Sequence, residues 1–265
     1  MSFGELMAGA EPRDGGFALT VPETWYQGRT AYGGFSSAVA LEAARLVGSE
    51  GAGSEGLAQL RSAQISFVAP LTGPVEARAR VLRRGKNATW ISAELATEGG
   101  VATTASFAFM KPVDSALHLN ELPPPPDVIP VDQALPFAMK HSPTFLREHF
   151  EVRFALPRGE EKRPELCWWV RLKDRNGLHP MTETMLVGDA LPPGVLPLLN
   201  PGVPVSSMTW LVNLLTPSPA TRDGWWLMRV VGDFAEQGCS NEPMAIWNAD
   251  GEPVVSGMQA VAVFG

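Results

Sequence analysis

Apolar and polar side chains alternate over much of the chain. Between Pro74 and Val81, Val75, Ala77, Ala79 and Val81 fall on one face, with Glu76, Arg78 and Arg80 on the other. That period of two predicts a half-buried strand. Phe150 to Leu156 behaves likewise, with Phe150, Val152, Phe154 and Leu156 inward and Glu151 and Arg153 outward. Leu166, Trp168, Val170 and Leu172 repeat the pattern against Arg171 and Lys173. Further strands are predicted at 60–69, 88–97, 101–111, 204–215, 225–234, 243–248 and 254–264. Two segments do not alternate. Phe35 to Val47 follows Gly33-Gly34 and carries apolar residues at helical spacing among good helix formers. Its many Ser and Ala residues predict a helix lying close against another surface. Met181 to Leu191 follows His179-Pro180, with proline at the first helical position, and stops before Pro192-Pro193.

Laid over one another, the two halves repeat. Each has an opening strand region, one helix, a strand ending at a proline (Pro70, Pro217), and three more strands with turns at Gly99-Gly100 and Asp250-Gly251. The closing strands, 105–110 and 259–264, match in pattern. The repeat is too long for a solenoid and reads as an internal duplication. One helix followed by about four antiparallel strands per half predicts an α+β fold, a sheet curled around a central helix, twice. Fusing the two sheets edge to edge would hide exposed edge strands. Lys111 to His141, with four consecutive prolines at 123–126, cannot continue a helix or ladder and reads as a semi-rigid connector. The expected boundaries are 1–111 for the first unit, 112–146 for the linker and 147–265 for the second unit.

Composition narrows the class. The 265 residues are 45% hydrophobic and 18% charged, the balance of a globular chain with a large core. A net charge of −7 shows no basic excess for nucleic acid. Two cysteines cannot build a disulfide scaffold, the first residues lack the pattern of a signal peptide, and no apolar run is long enough to span a membrane. A cytoplasmic enzyme or ligand-binding protein is expected.

Three places could carry chemistry. Asp189 stands at the end of the second helix among Met185, Leu186, Val187, Ala190 and Leu191. A carboxylate is disfavoured at a helix C-terminus, so it reads either as the start of a turn into Pro192-Pro193 or as an acid held in an apolar cleft. Gln259 shares a strand face with Val255, Val261 and Val263, where a buried amide needs a partner; the corresponding Ala105 has no such group. In another register it would face solvent. Ser206-Ser207-Met208-Thr209-Trp210 opens the strand after the second helix, and its hydroxyls either cap that strand or face the same site. Elsewhere no G-x-S-x-G elbow, phosphate loop or dinucleotide fingerprint is present. Histidines 118, 141, 149 and 179 are scattered without metal-ligand spacing. His179 reads as a helix-entry residue, Cys167 as packing and Cys239 as a turn residue. Trp90, Trp168, Trp210, Trp226 and Trp247 lie on predicted strands and are expected to fill the core. Arg83-Arg84-Gly85-Lys86 is a basic hairpin tip, either a solvated turn or an attractor for phosphates.

The order of elements, the GGFSSAVALEAA helix and the closing GMQAVAVF strand resemble the double-hotdog acyl-CoA thioesterases of the thioesterase II type. The resemblance covers nearly the whole chain in architecture and a few short motifs in residues. It implies hydrolysis of acyl-CoA without a cofactor. Asp189 would act as base, with Gln259 and a hydroxyl holding the water. The family carries Thr, then Asp two residues later, where this chain has Ser207 and Thr209. Gly33 and Gly34 would let a thioester carbonyl approach backbone donors closely, or equally serve tight helix–sheet contact, and Arg83, Arg84 and Lys86 would attract the CoA phosphates. Two alternatives compete: a non-catalytic acyl-CoA binding protein on this scaffold, and a hydratase, for which His179-Pro180 lacks the partner Asp. Free outer sheet edges are compatible with a dimer.

Overall fold

The alternating runs become strands of one antiparallel sheet in the computed structural model, which describes residues 1–265 apart from Glu55, Arg158 and Glu160. The first half supplies β1 (Gly16–Thr20), β2 (Gln59–Phe67), β3 (Pro74–Arg84), β4 (Ala88–Thr97) and β5 (Gly100–Met110). The second supplies β6 (Phe150–Phe154), β7 (Glu165–Leu172), β8 (Val205–Leu214), β9 (Trp226–Val231), β10 (Cys239–Trp247) and β11 (Pro253–Val263). The sheet runs β1-β3-β4-β5-β2 and then β8-β11-β10-β9-β7-β6, with Glu11–Arg13 beyond β1 and Phe234–Glu236 beside β10. From β1 inward and from β7 inward the path is the same, as a duplication requires. The copies join where β2 meets β8, with Ile65 opposite Trp210. Joining there leaves neither inner edge exposed.

The helices are α1 (Phe3–Ala8), α2 (Gly33–Ser49), α3 (Thr144–His149) and α4 (Pro180–Gly188). Inside the curled sheet, α2 and α4 pack on one another. Gly34 to Leu41, Ala43 and Ala44 are all buried, which explains the Ser- and Ala-rich composition of α2. Larger side chains would not fit between α4 and the strands. Glu42 is tolerated at the margin of this interface because Arg45 pairs with its carboxylate at 2.8 Å and the Thr182 hydroxyl donates to it.

Four sequence expectations are corrected. The second helix ends at Gly188, with Asp189 as its C-cap, not at Leu191. A Cβ on Gly188 would come within 2.9 Å of the Trp210 ring, so the chain turns where the indole fills the space. Strand β10 begins at Cys239, not at residue 243. Gln237 and Gly238, at φ 52° and 78°, form a two-residue turn that pairs Glu236 with Cys239. Trp90 is 40% exposed, because Thr89, Ile91, Ala93 and Leu95 claim the inward face of β4. Its ring lies under the Arg83 guanidinium; Trp168, Trp210, Trp226 and Trp247 are buried as expected. Lastly, the proline-rich segment is a strap as well as a connector. It crosses the outer face of the second-half sheet, where the Trp169 and Trp247 indoles donate to the Ile129 and Leu122 carbonyls at 2.8 and 2.9 Å. Beneath it Cys167, Trp169, Leu227 and Trp247 form a second core, so β7 is buried on both faces. Among the described residues no helix is long and apolar enough to cross a membrane.

Candidate active site

The C-terminus of α4 is aimed at the N-terminus of α2, and Asp189 stands at that junction. A carboxylate capping α4 would be repelled by its own helix, but α2 compensates. The backbone N–H groups of Gly33 and Gly34 donate to the Asp189 carboxylate, at the positive end of the 17-residue α2. Close approach needs glycine here: a Cβ on Gly33 would lie 2.5 Å from Asp189 Oδ2 and 2.8 Å from Phe67 Cζ. Gly34 is enclosed by Tyr32 and the Leu186 carbonyl, to which the buried Tyr32 hydroxyl donates.

Gln259 completes the set. Its Nε2 donates to Asp189 Oδ1 at 2.6 Å, and its Oε1 accepts from Ser207 Oγ at 2.7 Å. The amide therefore faces inward with both ends used. Asp189 is held largely out of water, and burial drives its pKa up to about 7 against the opposing pull of Gln259, Gly34 and Gly33. The result is a carboxyl that exchanges its proton near neutral pH, the range in which a general base works best.

Thr209 is not brought to this group. Between Ser207 and Thr209 the register of β8 against β11 shifts, leaving Met208 as an extra residue. A bulge of this kind reverses the alternation, so Ser207 and Trp210 both face inward while Thr209 is exposed. Ser206 is exposed but lines the cleft.

The site opens into a cleft of about 280 Å³ whose walls come from both halves. Gln27, Thr30, Gly33, Phe67 and Leu71 lie on one side, and Asp189, Pro193, Val205 and Ser207 on the other. Phe67 and Tyr32 were not singled out from the sequence. Each is an ordinary aromatic in its own segment, and only Gly33-Gly34 ahead of a Ser- and Ala-rich helix signals a crowded helix entry.

The hairpin tip lies elsewhere. Arg84 donates to the carbonyls of Gly48 and Glu50 at 3.0 and 2.9 Å, capping the far end of α2. One helix length, about 25 Å at 1.5 Å per residue, separates it from Asp189. Arg83 lies over Trp90 and Lys86 is exposed at the tip, so none of the three lines the cleft. His179 caps α4, its Nδ1 accepting from the Met181 N–H at 3.2 Å, the helix-entry role expected of it.

Comparison with known proteins gives a consistent picture. The family model described as acyl-CoA thioesterase N-terminal domain matches residues 21–110, and that described as acyl-CoA thioesterase C-terminal domain matches residues 120–263. No curated protein sequence matches the chain. Among solved structures, a hot dog fold protein of unknown function from Alicyclobacillus acidocaldarius superposes with a TM-score of 0.84 at 20% identity, covering 100% of this chain and 99% of that one. An acyl-CoA thioesterase II from Mycobacterium marinum gives 0.65 at 17% identity, covering 98% and 97%. At such identities these two likenesses speak for the double-hotdog fold alone.

Proposed function

Since the chain belongs to the acyl-CoA thioesterase family, a family of thioester hydrolases, we propose that Asp189, Gln259 and Ser207 hydrolyse an acyl-CoA at the cleft between the two halves. The observation that carries this reading is the continuous chain from Ser207 through Gln259 to Asp189, ending on the N-terminus of α2. Asp189, as the carboxylate, takes a proton from a water held by Gln259 and Ser207. The hydroxide attacks the thioester carbonyl carbon, and the oxyanion that forms is favoured by the positive end of α2. Collapse breaks the C–S bond, and the departing thiolate regains the proton from Asp189. The products are the free acid and CoA. No covalent acyl-enzyme is needed.

Thiol release from short, medium, long and aromatic acyl-CoAs tests this with wild type beside Asp189→Ala and Gln259→Ala. A general base contributes about 10²–10⁴-fold, so Asp189→Ala is expected to lose at least two orders of magnitude in kcat. Turnover surviving that substitution would keep the activity and refute the site. Binding without release from any substrate would move the chain to the ligand-binding alternative.

A further inference from the structure

Behind Gln259, on the side away from the cleft, a second carboxylate is buried. Glu242 lies on β10 directly opposite Gln259 on β11 and is 1% exposed. Among the described residues no cation pairs with it. Two of its partners are backbone donors of a loop: Oε2 accepts from the Gly194 N–H at 2.5 Å, and the Val195 N–H also donates to the carboxylate. Oε1 accepts from Ser240 Oγ at 2.8 Å. Burying a carboxylate costs several kcal/mol unless its hydrogen bonds are made, so a Glu at this position is explained by the loop it holds.

That loop is the one that leaves Asp189. Residues 190–195 run from the end of α4 through Pro192-Pro193 to the amides that Glu242 binds, and Pro193 walls the cleft beside Asp189 and Ser207. Gly194 is pressed against the turn after β9, where a Cβ would meet the Gly232 nitrogen at 2.7 Å. The narrow space between Glu242, Gln259, Pro193 and Gly188 measures only about 10 Å³, so displacement of the loop has little room to be absorbed. The first half has no counterpart. Laying Gln259 over Ala105 puts Glu242 over Ala93, which pairs with Ala105 across β4 and β5, and that row is apolar. The polar pair lies in the half that carries the acid.

We propose that Glu242 is a positioning residue: by accepting the Gly194 and Val195 N–H groups it pins the loop after Asp189 and so fixes the carboxylate against Gln259. The inference rests on the hydrolase reading above. Glu242 is buried and does not line the cleft, so its part is played through the loop.

Two variants separate reach from charge. Glu242→Gln keeps an acceptor at full reach and removes the charge, while Glu242→Asp keeps the charge and withdraws it by one carbon. Misplacing a catalytic group by about 1 Å can cost up to 10²-fold. Glu242→Asp is therefore expected to lower kcat about tenfold or more with KM within twofold, and to speed amide exchange at Gly194 and Val195 by about tenfold while the strands remain protected. Glu242→Gln is expected to stay within about threefold of wild type in both readouts. A Glu242→Asp enzyme with wild-type kcat and wild-type exchange would overturn the proposal, as would a Glu242→Gln variant as impaired as Glu242→Asp. Should wild type release no thiol, the hydrolase reading fails by itself, and the exchange comparison still decides whether Glu242 holds the loop.

Discussion

The two halves share one sheet path, and of their differences one row of the sheet and one helix end bear on the candidate site. In the first half the row Ile65, Ala105, Ala93 is buried and apolar, and α2 extends for 17 residues past the sheet. In the second half the corresponding row is Trp210, Gln259, Glu242, and α4 stops after nine residues on an aspartate. The difference divides the labour. The second half supplies the acid and the groups that hydrogen-bond to it, whereas the first supplies the helix N-terminus that makes an ionised acid tolerable and the Phe67 ring that packs beside Gly33 at the cleft. On the proposed assignment neither half holds a complete site, which is a physical reason for the copies to remain fused.

The sharpest way to break this division is at its seam. Gly33→Ala places a methyl 2.5 Å from Asp189 Oδ2 and 2.8 Å from Phe67, so the acid or the ring must move. A loss of about 10²-fold in kcat is expected, measured by thiol release on protein whose circular dichroism is unchanged. Full activity would mean that contact with α2 is dispensable.

Titration of Asp189 comes next. The active form is the carboxylate and its pKa is pushed up to about 7, so kcat should fall about tenfold per pH unit below 7 and level off above it. Stability should run the other way. The folded chain keeps the proton up to about pH 7 while the unfolded chain releases it near its ordinary value of 3.8, so this group's contribution is full below 3.8 and declines as pH rises to 7. A pH–rate profile with its lower limb near 4 would contradict the buried-acid description.

The bulge in β8 predicts a smaller and asymmetric effect. Ser207→Ala removes the donor to Gln259 Oε1 and should cost about 5–30-fold in kcat, equivalent to roughly 1–2 kcal/mol. Thr209→Val should be silent in the same assay, because that side chain is exposed. Equal losses in both would refute the bulge as the feature that selects between the hydroxyls. The mildest test asks whether the first half can accept the second half's chemistry. Ala105→Gln inserts an amide into a row with no partner for it, and should lower stability by about 2 kcal/mol or more without adding activity. Chemical denaturation would measure it.

Much of this was legible in the chain. Period-two patterning located the strands to within a few residues because one face of each is buried and the other is wet. Where a turn is followed at once by a short polar stretch, as at Gln237-Gly238 before β10, the pattern blurs and the boundary slips. The same slip hid Glu242: an isolated acid beside Pro243 reads as loop until the register sets it opposite Gln259. Asp189 and Gln259 stood out because each is a polar residue in an apolar context, an anomaly that needs no partner to be seen.

What the sequence determined by itself is the duplicated α+β plan and the presence of two misplaced polar groups, since both follow from local periodicity and composition. Tertiary structure decided which groups meet. Residues 33 and 189 are far apart along the chain, and only the antiparallel stacking of α4's end on α2's start brings Gly33, Gly34 and Asp189 together. One extra residue at Met208 chose Ser207 over Thr209, because alternation carries no record of a bulge until a partner strand reveals the shifted register. The basic tip went the other way. Its charges are plain in sequence, yet hydrogen bonding to the C-terminus of α2 places Arg84 at the end of that helix opposite the site.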